Sequence, residues 1–253
     1  MTKIKFWKVQ ACGNDFIMVN NTSGLIEPNM YSALAEKLCN RRFGIGADGI
    51  IFITDEPSFD FGMNYFNSDG SGPVMCGNGG RASIFFVVES RILNSREFLF
   101  LSSDGPHKGI YGKDGIYVTV KGGDAKKVSF GGKDMYFVDT GAPHVVVIEK
   151  GIDRIDIDSF AKPIREQFNS NVNLIEKADS GWKIRTFERG VEGETLSCGT
   201  GSVASAIVIN SVLRNRFPIR LKAKGGELEV RFDGKYYWLG GDVKKVFIGE
   251  INL

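Results

Sequence analysis

VMCGNGGRAS at 74–83 and LSCGTGSVAS at 196–205 share one pattern: Cys, Gly, a small polar residue, Gly, and an Ala-Ser pair further on. Aligned on Cys76 and Cys198, the residues coincide at 76, 77, 79, 82 and 83 against 198, 199, 201, 204 and 205, an offset of 122 in a chain of 253. Upstream of each lies a Phe followed by polar residues and glycine, FNSDGSG and FERGVEG. A single glycine-rich turn before an apolar run is a weak signal. Two in register, half a chain apart, indicate an internal duplication. The fold this allows is narrow: two half-chain units of one architecture, expected to pack about a pseudo-two-fold axis with equivalent loops facing a cleft.

The apolar runs after the two turns, ASIFFVV from Ala82 and VASAIVI from Val203, have no polar face. Each therefore reads as a short helix buried on every side or as a buried strand. The glycines in front favour helix N-termini, because they permit close backbone approach. A cysteine at such a position meets unpaired N–H groups and the positive end of the helix dipole. Its thiol can then fall below its free pKa of about 8.5 and work as a thiolate base. Two like acid–base groups on opposite faces of one carbon are what stereoinversion requires. One removes a proton and the other returns one from behind.

Elsewhere the chain reads as sheet. IKFWKV, GIIFIT, FGMNYF, EFLFLS, GIYVTV, MYFVDT, HVVVIE, NVNLIE and WKIRTF are short, β-branched and aromatic, and separated by Gly, Asp, Asn and Ser clusters. In ELEVRFDGKYYWLGG, Asp233-Gly234 predicts a tight hairpin with positive φ at both turn positions. Helical periodicity is clearest at Tyr31, Leu34, Ala35 and Leu38, after Pro28, as an amphipathic surface helix.

With 32 basic and 30 acidic residues and no long block of one sign, the chain lacks a nucleic-acid footprint. No run approaches the roughly 18 apolar residues of a membrane span, and the N-terminus has no apolar signal core. A cytoplasmic protein is expected. Cys12, Cys39, Cys76 and Cys198 are widely spaced, without a C-x-x-C pair, so free thiols are expected and a zinc ribbon is not.

Gly13-Asn14-Asp15-Phe16, FGIGADG at 43–49, FNSDGS, MCGNGGR, GAPH at 141–144, NVN at 171–173 and ERGVEGETLSCGTG at 188–201 together resemble the diaminopimelate epimerases, in the right order over nearly the whole chain. The resemblance implies an α+β fold of two similar domains, each a mainly antiparallel sheet wrapped around a central helix. The domains are expected at 1–115 and 116–243, with a last strand, about 244–253, returning to the first. It also implies interconversion of LL- and meso-diaminopimelate, on the route to lysine and peptidoglycan precursors, with no pyridoxal phosphate or other cofactor and no metal.

Carried over by position, Cys76 and Cys198 become the acid–base pair. Gly77, Asn78, Gly199 and Thr200 offer donors to the reacting carboxylate, and Glu188 accepts from the reacting ammonium. Asn14, Asn67, Asn173 and Arg189 hold the substrate, chiefly its distal end, with His144 as site support. The implied partner is the small-molecule substrate, with a homodimer open and neither nucleic acid nor membrane. Three positions depart from the family pattern: Ala142 stands where the family has asparagine, Gln10 where many members have histidine, and the Arg81 motif lacks a following cysteine.

Plainer readings stand beside these. Asn14 and Asp15 also suit a turn, His144 a hydrogen-bonded strand end, and Glu188–Arg189 a surface ion pair. Cys12 and Cys39 read as buried thiols, and His107, in a Gly-Pro turn, as solvated. Two other functions fit the thiols: a proline racemase or hydroxyproline epimerase of the same broad fold, and a redox-sensing protein whose cysteines are merely oxidisable.

Overall fold

A computed structural model describes residues 3–252. The chain divides into two compact units, Met1–Val118 with Asp242–Leu253, and Thr119–Gly241. The first unit runs β1 (Lys3–Ala11), β2 (Asn14–Asn20), α1 (Tyr31–Cys39), β3 (Gly49–Thr54), β4 (Phe61–Asn67), α2 (Gly77–Glu89), β5 (Glu97–Ser102), β6 (Gly105–Gly112) and β7 (Gly115–Val120). The second runs β8 (Lys126–Phe130), β9 (Lys133–Asp139), β10 (Pro143–Ile148), α3 (Ile157–Phe168), β11 (Asn171–Lys177), β12 (Trp182–Glu188), β13 (Gly193–Thr195), α4 (Gly199–Ser211), β14 (Ile219–Ala223), β15 (Gly226–Phe232) and β16 (Tyr237–Gly241). The last strand, β17 (Val243–Asn252), lies antiparallel to β1 in the first unit.

Strand pairing shows that the duplication extends well beyond the cysteine turns. In the first unit β1–β2, β3–β4, β5–β6 and β6–β7 are antiparallel, while β2–β3 and β4–β5 are parallel. The second repeats the scheme, with β9–β10, β11–β12, β14–β15 and β15–β16 antiparallel and β10–β11 and β12–β14 parallel. Each parallel pair is bridged by a helix, as parallel pairing requires. Thus α1 corresponds to α3, and α2 to α4.

Both apolar runs are helical. Gly77–Arg81 and Ala82, Ser83, Ile84, Phe86 and Val87 are buried in α2, as are Gly199 and Gly201–Ile209 in α4. The sheets wrap these helices: α2 packs on β1, β2, β3, β4, β6 and β17, and α4 on β9, β10, β11, β14, β15 and β16. Trp7 meets Phe86 edge-on at 5.3 Å between ring centroids. The outer helices close the other faces with separate cores: Leu34, Ala35 and Leu38 of α1 over Ile17, Ile50 and Phe52, and Ala161 and Ile164 of α3 over Val145, Val172 and Leu174.

The helix expected after Pro28 is α1, entered through a 3-10 turn at Pro28–Met30. Sequence reading did not anticipate α3. Its signals are an Asp156 cap accepting from Ser159 N–H at 3.5 Å, the spacing Ile157, Ala161, Ile164, and a left-handed Asn169 at its end, and Pro163 inside the helix masks them. The Asp233 hairpin forms, but its ladder closes at Phe232–Tyr237 around a four-residue loop, not a two-residue one. Gly234 takes a φ of +95°. Asp233 keeps a negative φ and spends its carboxylate on the N–H groups of Lys235 and Tyr236, both at 2.8 Å. His107 is not solvated: it is 5% exposed on β6, stacked on Phe100 and bonded to Asp104 at 2.8 Å. No helix among the described residues is long and apolar enough to cross a membrane.

Phe52 stacks on Tyr31 at 3.9 Å between centroids and is fully buried. Phe52→Ala is expected to lower unfolding stability by about 3–5 kcal/mol through lost burial and the cavity left behind. Equilibrium urea unfolding, read as a drop in midpoint at constant slope, measures it.

Candidate active site: two capped helix mouths

Cys76 is the N-cap of α2, extended at φ −134° and ψ 119°, and its sulfur accepts the Gly79 N–H at 3.4 Å. Cys198 is the N-cap of α4 with nearly the same backbone, φ −122° and ψ 117°. Each thiol thus sits where the first-turn N–H groups of its helix lack intrahelical acceptors. All four cysteines are free thiols. Cys12 and Cys39 are buried, as expected, and burial pushes both thiols up, Cys39 to about 12.

The surroundings of Cys76 are built by charge. Its thiol donates to Asn14 Oδ1 at 3.7 Å, and Asn78 Nδ2 approaches the same oxygen at 3.5 Å. Asn14 Nδ2 donates to Asp48 Oδ2 at 2.7 Å. A carboxylate accepts only, so Asp48 fixes the amide with its oxygen toward the sulfur. Asp48 is tied in turn to Asp15: each backbone N–H donates to the other's carboxylate, at 3.1 and 2.9 Å. Arg41 bridges both carboxylates at 2.7 Å, and buried Lys8 pairs with Asp15 at 2.7 Å. Burial alone would raise the Asp15 carboxyl, but hydrogen bonds from Arg41 and Lys8 outweigh it and hold the group at about 2. Arg81 is fully buried beneath the first turn of α2, its Nη2 on Asn78 Oδ1 at 3.0 Å and Cys12 Sγ at 3.6 Å. Its Nε and Nη1 have no hydrogen-bond partner, and its charge acts on both Cys12 and Cys76.

A hydroxyl and an imidazole stand on the Cys198 side. Its sulfur lies 3.5 Å from Thr200 Oγ1, which lies 3.0 Å from His144 Nε2. His144 Nδ1 is 3.0 Å from Asn173 Nδ2, and Thr186 Oγ1 donates to Asn173 Oδ1 at 2.9 Å. His144 and Asn173 are both 0% exposed. Burial, aided by the nearby Arg189 charge, pushes the His144 imidazole down to about 3, so it is neutral at physiological pH.

The remaining expected site residues lie near the C-terminal ends of strands. Asn67 ends β4 and donates to Ser71 Oγ at 2.9 Å. Glu188 ends β12 and accepts from Thr195 Oγ1 at 2.5 Å. Exposed Arg189 donates from its backbone to Asn171 Oδ1 and from NH1 to Asn169 O, both at 2.9 Å. Asn173, expected to hold substrate, has its amide on His144 and Thr186, and His144, expected as site support, lies at the start of β10 between Asn173 and Thr200. Sequence reading missed Asp48, Lys8, Arg41 and Thr186, and the motif glycine Gly201 has a structural reason: a Cβ there would stand 2.3 Å from Asn173 Oδ1.

Strand register pairs the two halves residue by residue. Phe16 lies beside Gly49 and Gly49 beside Asn67; His144 lies beside Asn171, which the β11–β12 register sets next to Glu188. Asn67 therefore corresponds to Glu188, and Asn14 to Ala142.

The fold itself defines a class of two-unit, sheet-wrapped-helix proteins whose solved members include two quite different proteins. One is a phenazine biosynthesis protein of the PhzF family from Enterococcus faecalis, 16% identical with a TM-score of 0.80, each chain covered in full. The other is a hydroxyproline epimerase from Agrobacterium vitis, 12% identical with a TM-score of 0.69 over 98% of this chain and 92% of that one. At such identities the likeness is one of fold alone. Sequence decides the family: residues 6–128 and 136–245 match the diaminopimelate epimerase family. A diaminopimelate epimerase from Flavobacterium psychrophilum is 39% identical over 91% of each chain. The chain belongs to the diaminopimelate epimerase family, and with it to the isomerases.

His144 also yields a stability prediction. Its folded pKa, about 3, lies below the ordinary 6.5, so the unfolded chain takes up a proton that the folded chain refuses. The contribution is complete above pH 6.5 and is lost as pH falls toward 3, by about 1.4 kcal/mol per pH unit. Unfolding free energy should drop by about 2 kcal/mol between pH 6.5 and 5, above where most carboxylates titrate. In His144→Gln that part of the slope should be missing.

Proposed function

We propose that this chain inverts one α-carbon of diaminopimelate, interconverting the LL and meso isomers, by acid–base chemistry between the Cys76 and Cys198 thiols. The observation that carries the reading is the equivalence of the two cysteines. Each caps the enclosed helix of its own unit, in a chain matched to the diaminopimelate epimerase family through nearly its whole length. The family match also separates this reading from racemases that share only the fold.

In the proposed reaction one cysteine, as thiolate, takes the Cα proton and becomes a thiol. The electron pair left behind delocalises into the adjacent carboxylate. The other cysteine, as thiol, delivers a proton to the opposite face and becomes a thiolate. One proton leaves and one arrives, so the substrate changes only in configuration, and the cysteines exchange roles for the reverse direction. No oxidant, metal or carbonyl cofactor enters this balance.

First-turn N–H groups at Gly77, Asn78, Gly199 and Thr200 suit the carboxylate on which charge develops. Such donors, aimed at a developing oxyanion, contribute about 3–4 kcal/mol each in comparable sites. Glu188 serves the reacting ammonium, and Arg189 and Asn67 the distal end. Asn14, beside the Cys76 sulfur, and Asn173, beside His144, are the remaining substrate-holding amides of the reading.

Incubation with LL-diaminopimelate in heavy water should yield the meso isomer carrying deuterium at the inverted carbon. Cys76→Ala and Cys198→Ala should each abolish that conversion, since inversion needs both faces served. Near wild-type turnover in either variant would rule out the two-thiol chemistry.

Arg189 offers a fork whose NH1 is already anchored on Asn169 O. Lysine at this position would supply a point charge without the paired geometry that grips a carboxylate. Arg189→Lys should therefore lower kcat/KM for diaminopimelate by roughly ten- to a hundredfold, the loss of one charged hydrogen bond. Thiol reactivity at Cys76 and Cys198 should stay unchanged; a parallel loss of reactivity would mean that Arg189 supports the cysteine turn instead.

A further inference from the structure

Arg81 is 0% exposed in α2, and the hydrogen bonds it makes leave Nε and Nη1 without partners. Its Nη2 reaches Asn78 Oδ1 and Cys12 Sγ; no carboxylate among the described residues pairs with it, and Asp242 bears on it by charge alone. A buried cation without a counter-ion is destabilising, and an N–H left unmet inside a protein calls for a reason. Its place in the helix adds to the strain. Arg81 opens the second turn of α2, and helical side chains lean toward the N-terminus, so the guanidinium adds its charge to the positive end of the dipole.

The duplicated half shows that packing does not require this cation. At the offset of 122 that aligns the two cysteines, Arg81 matches Val203, which is 0% exposed in α4. An enclosed helix of this architecture is therefore completed by an aliphatic side chain at the same place.

The contact with Asn78 supplies the reason. A guanidinium only donates, so the Asn78 oxygen faces Arg81 and the NH2 group faces the other way, toward Asn14 Oδ1 at 3.5 Å. Asn14 is pinned in the opposite sense by the Asp48 carboxylate, which only accepts. Arg81, Asn78, Asn14 and Asp48 thus form a run with a cation at its donor end and an anion at its acceptor end. Neither amide can turn over without breaking a bond to a full charge. Asn78 also belongs to the first turn of α2, where backbone N–H groups lack intrahelical acceptors.

We propose that Arg81 is a positioning residue for the α2 mouth: it locks Asn78 with its donors outward and sets an unpaired charge behind them, to meet the negative charge that gathers on the substrate carboxylate as the α-proton leaves. The inference rests on the epimerase reading for its catalytic meaning. It makes the two mouths unequal, since α2 carries a cation where α4 carries Val203. A fixed charge that finds its counterpart most fully at the moment of reaction lowers the barrier more than it tightens binding. The strain of holding it falls on the stability of the fold.

Arg81→Met in the full chain removes the charge while keeping an unbranched apolar stem. In equilibrium urea unfolding without substrate, its midpoint should equal or exceed that of the unaltered protein, because a buried charge with unmet N–H groups has gone. In heavy water, its kcat for deuterium entry at the α-carbon of LL-diaminopimelate should fall by about tenfold or more, while KM stays within about threefold. Arg81→Lys, which keeps the charge and a donor for Asn78, should recover most of kcat. A residue that only holds the fold together would lower midpoint and kcat in parallel. A lower midpoint in Arg81→Met, failure of that variant to fold, or an unchanged kcat would each overturn the proposal. The unfolding measurement needs no substrate and decides on Arg81 by itself, whereas an unaltered protein that exchanges no α-proton would strike the epimerase reading.

Discussion

A helix with no polar face has to be enclosed, and most of this architecture follows from enclosing two of them. Fully burying one Ile, Val or Phe contributes about 1.5–3 kcal/mol, and α2 and α4 each carry several. A sheet on one side cannot cover such a helix, so strands from several directions close round it. Polar atoms inside the wrap must find partners locally. Ser83 and Ser202 bond back to the carbonyls of Gly79 and Cys198, at 2.9 and 2.8 Å. What such a helix cannot satisfy internally is its first turn. The proposed chemistry is placed there because that is where an enclosed helix still has unused donors.

The two mouths are finished by different physics. The first is organised by full charges: Lys8 and Arg41 hold Asp15 and Asp48, Asp48 holds Asn14, and Arg81 places a buried cation under the helix. Beside the second stand the neutral side chains of Thr200, His144, Asn173 and Thr186, and burial keeps His144 uncharged. Charge networks tolerate partial exposure, and Arg41 is largely exposed. A neutral relay tolerates it poorly, because water would compete for each link. His144, Asn173 and Thr186 are accordingly sealed among β10, β11 and β12.

Much of this was legible in the sequence because it rests on short-range pattern. The strands and α1 are set by periodicity, the two enclosed helices by glycine turns in front of unbroken apolar runs, and the cap cysteines by the residues that follow them. What escaped notice depends on neighbours far along the chain. Asp48 reaches Asn14 because β2 and β3 pair in parallel register, and nothing local to residue 48 announces that. The order Thr186, Asn173, His144 crosses three strands and is fixed only by their register. Local signals also misled where a second interaction overrode them. The Asp233 side chain captured two backbone N–H groups and widened the hairpin. At His107 the ring stacked on Phe100 instead of meeting water. In α3 an Asp156 cap and an amphipathic face outweighed Pro163.

Duplication gives each half a counterpart against which its changes can be read. Asn67 and Glu188 hold matched strand ends with different charge, and Asn78 and Thr200 hold matched second positions of their helices. Ala142, which reads in the sequence as the loss of a family asparagine, gains a more specific meaning from its match to Asn14. In the first unit that position supplies the acceptor beside the cap cysteine. With alanine in the second, that position of the β9–β10 turn carries no side-chain amide, and the Thr200 hydroxyl lies 3.5 Å from the Cys198 sulfur. Two identical mouths would present their thiols with identical proton affinities. An acid–base pair works from a state in which one member holds the proton and the other does not, and that state is easier to hold when the two surroundings differ.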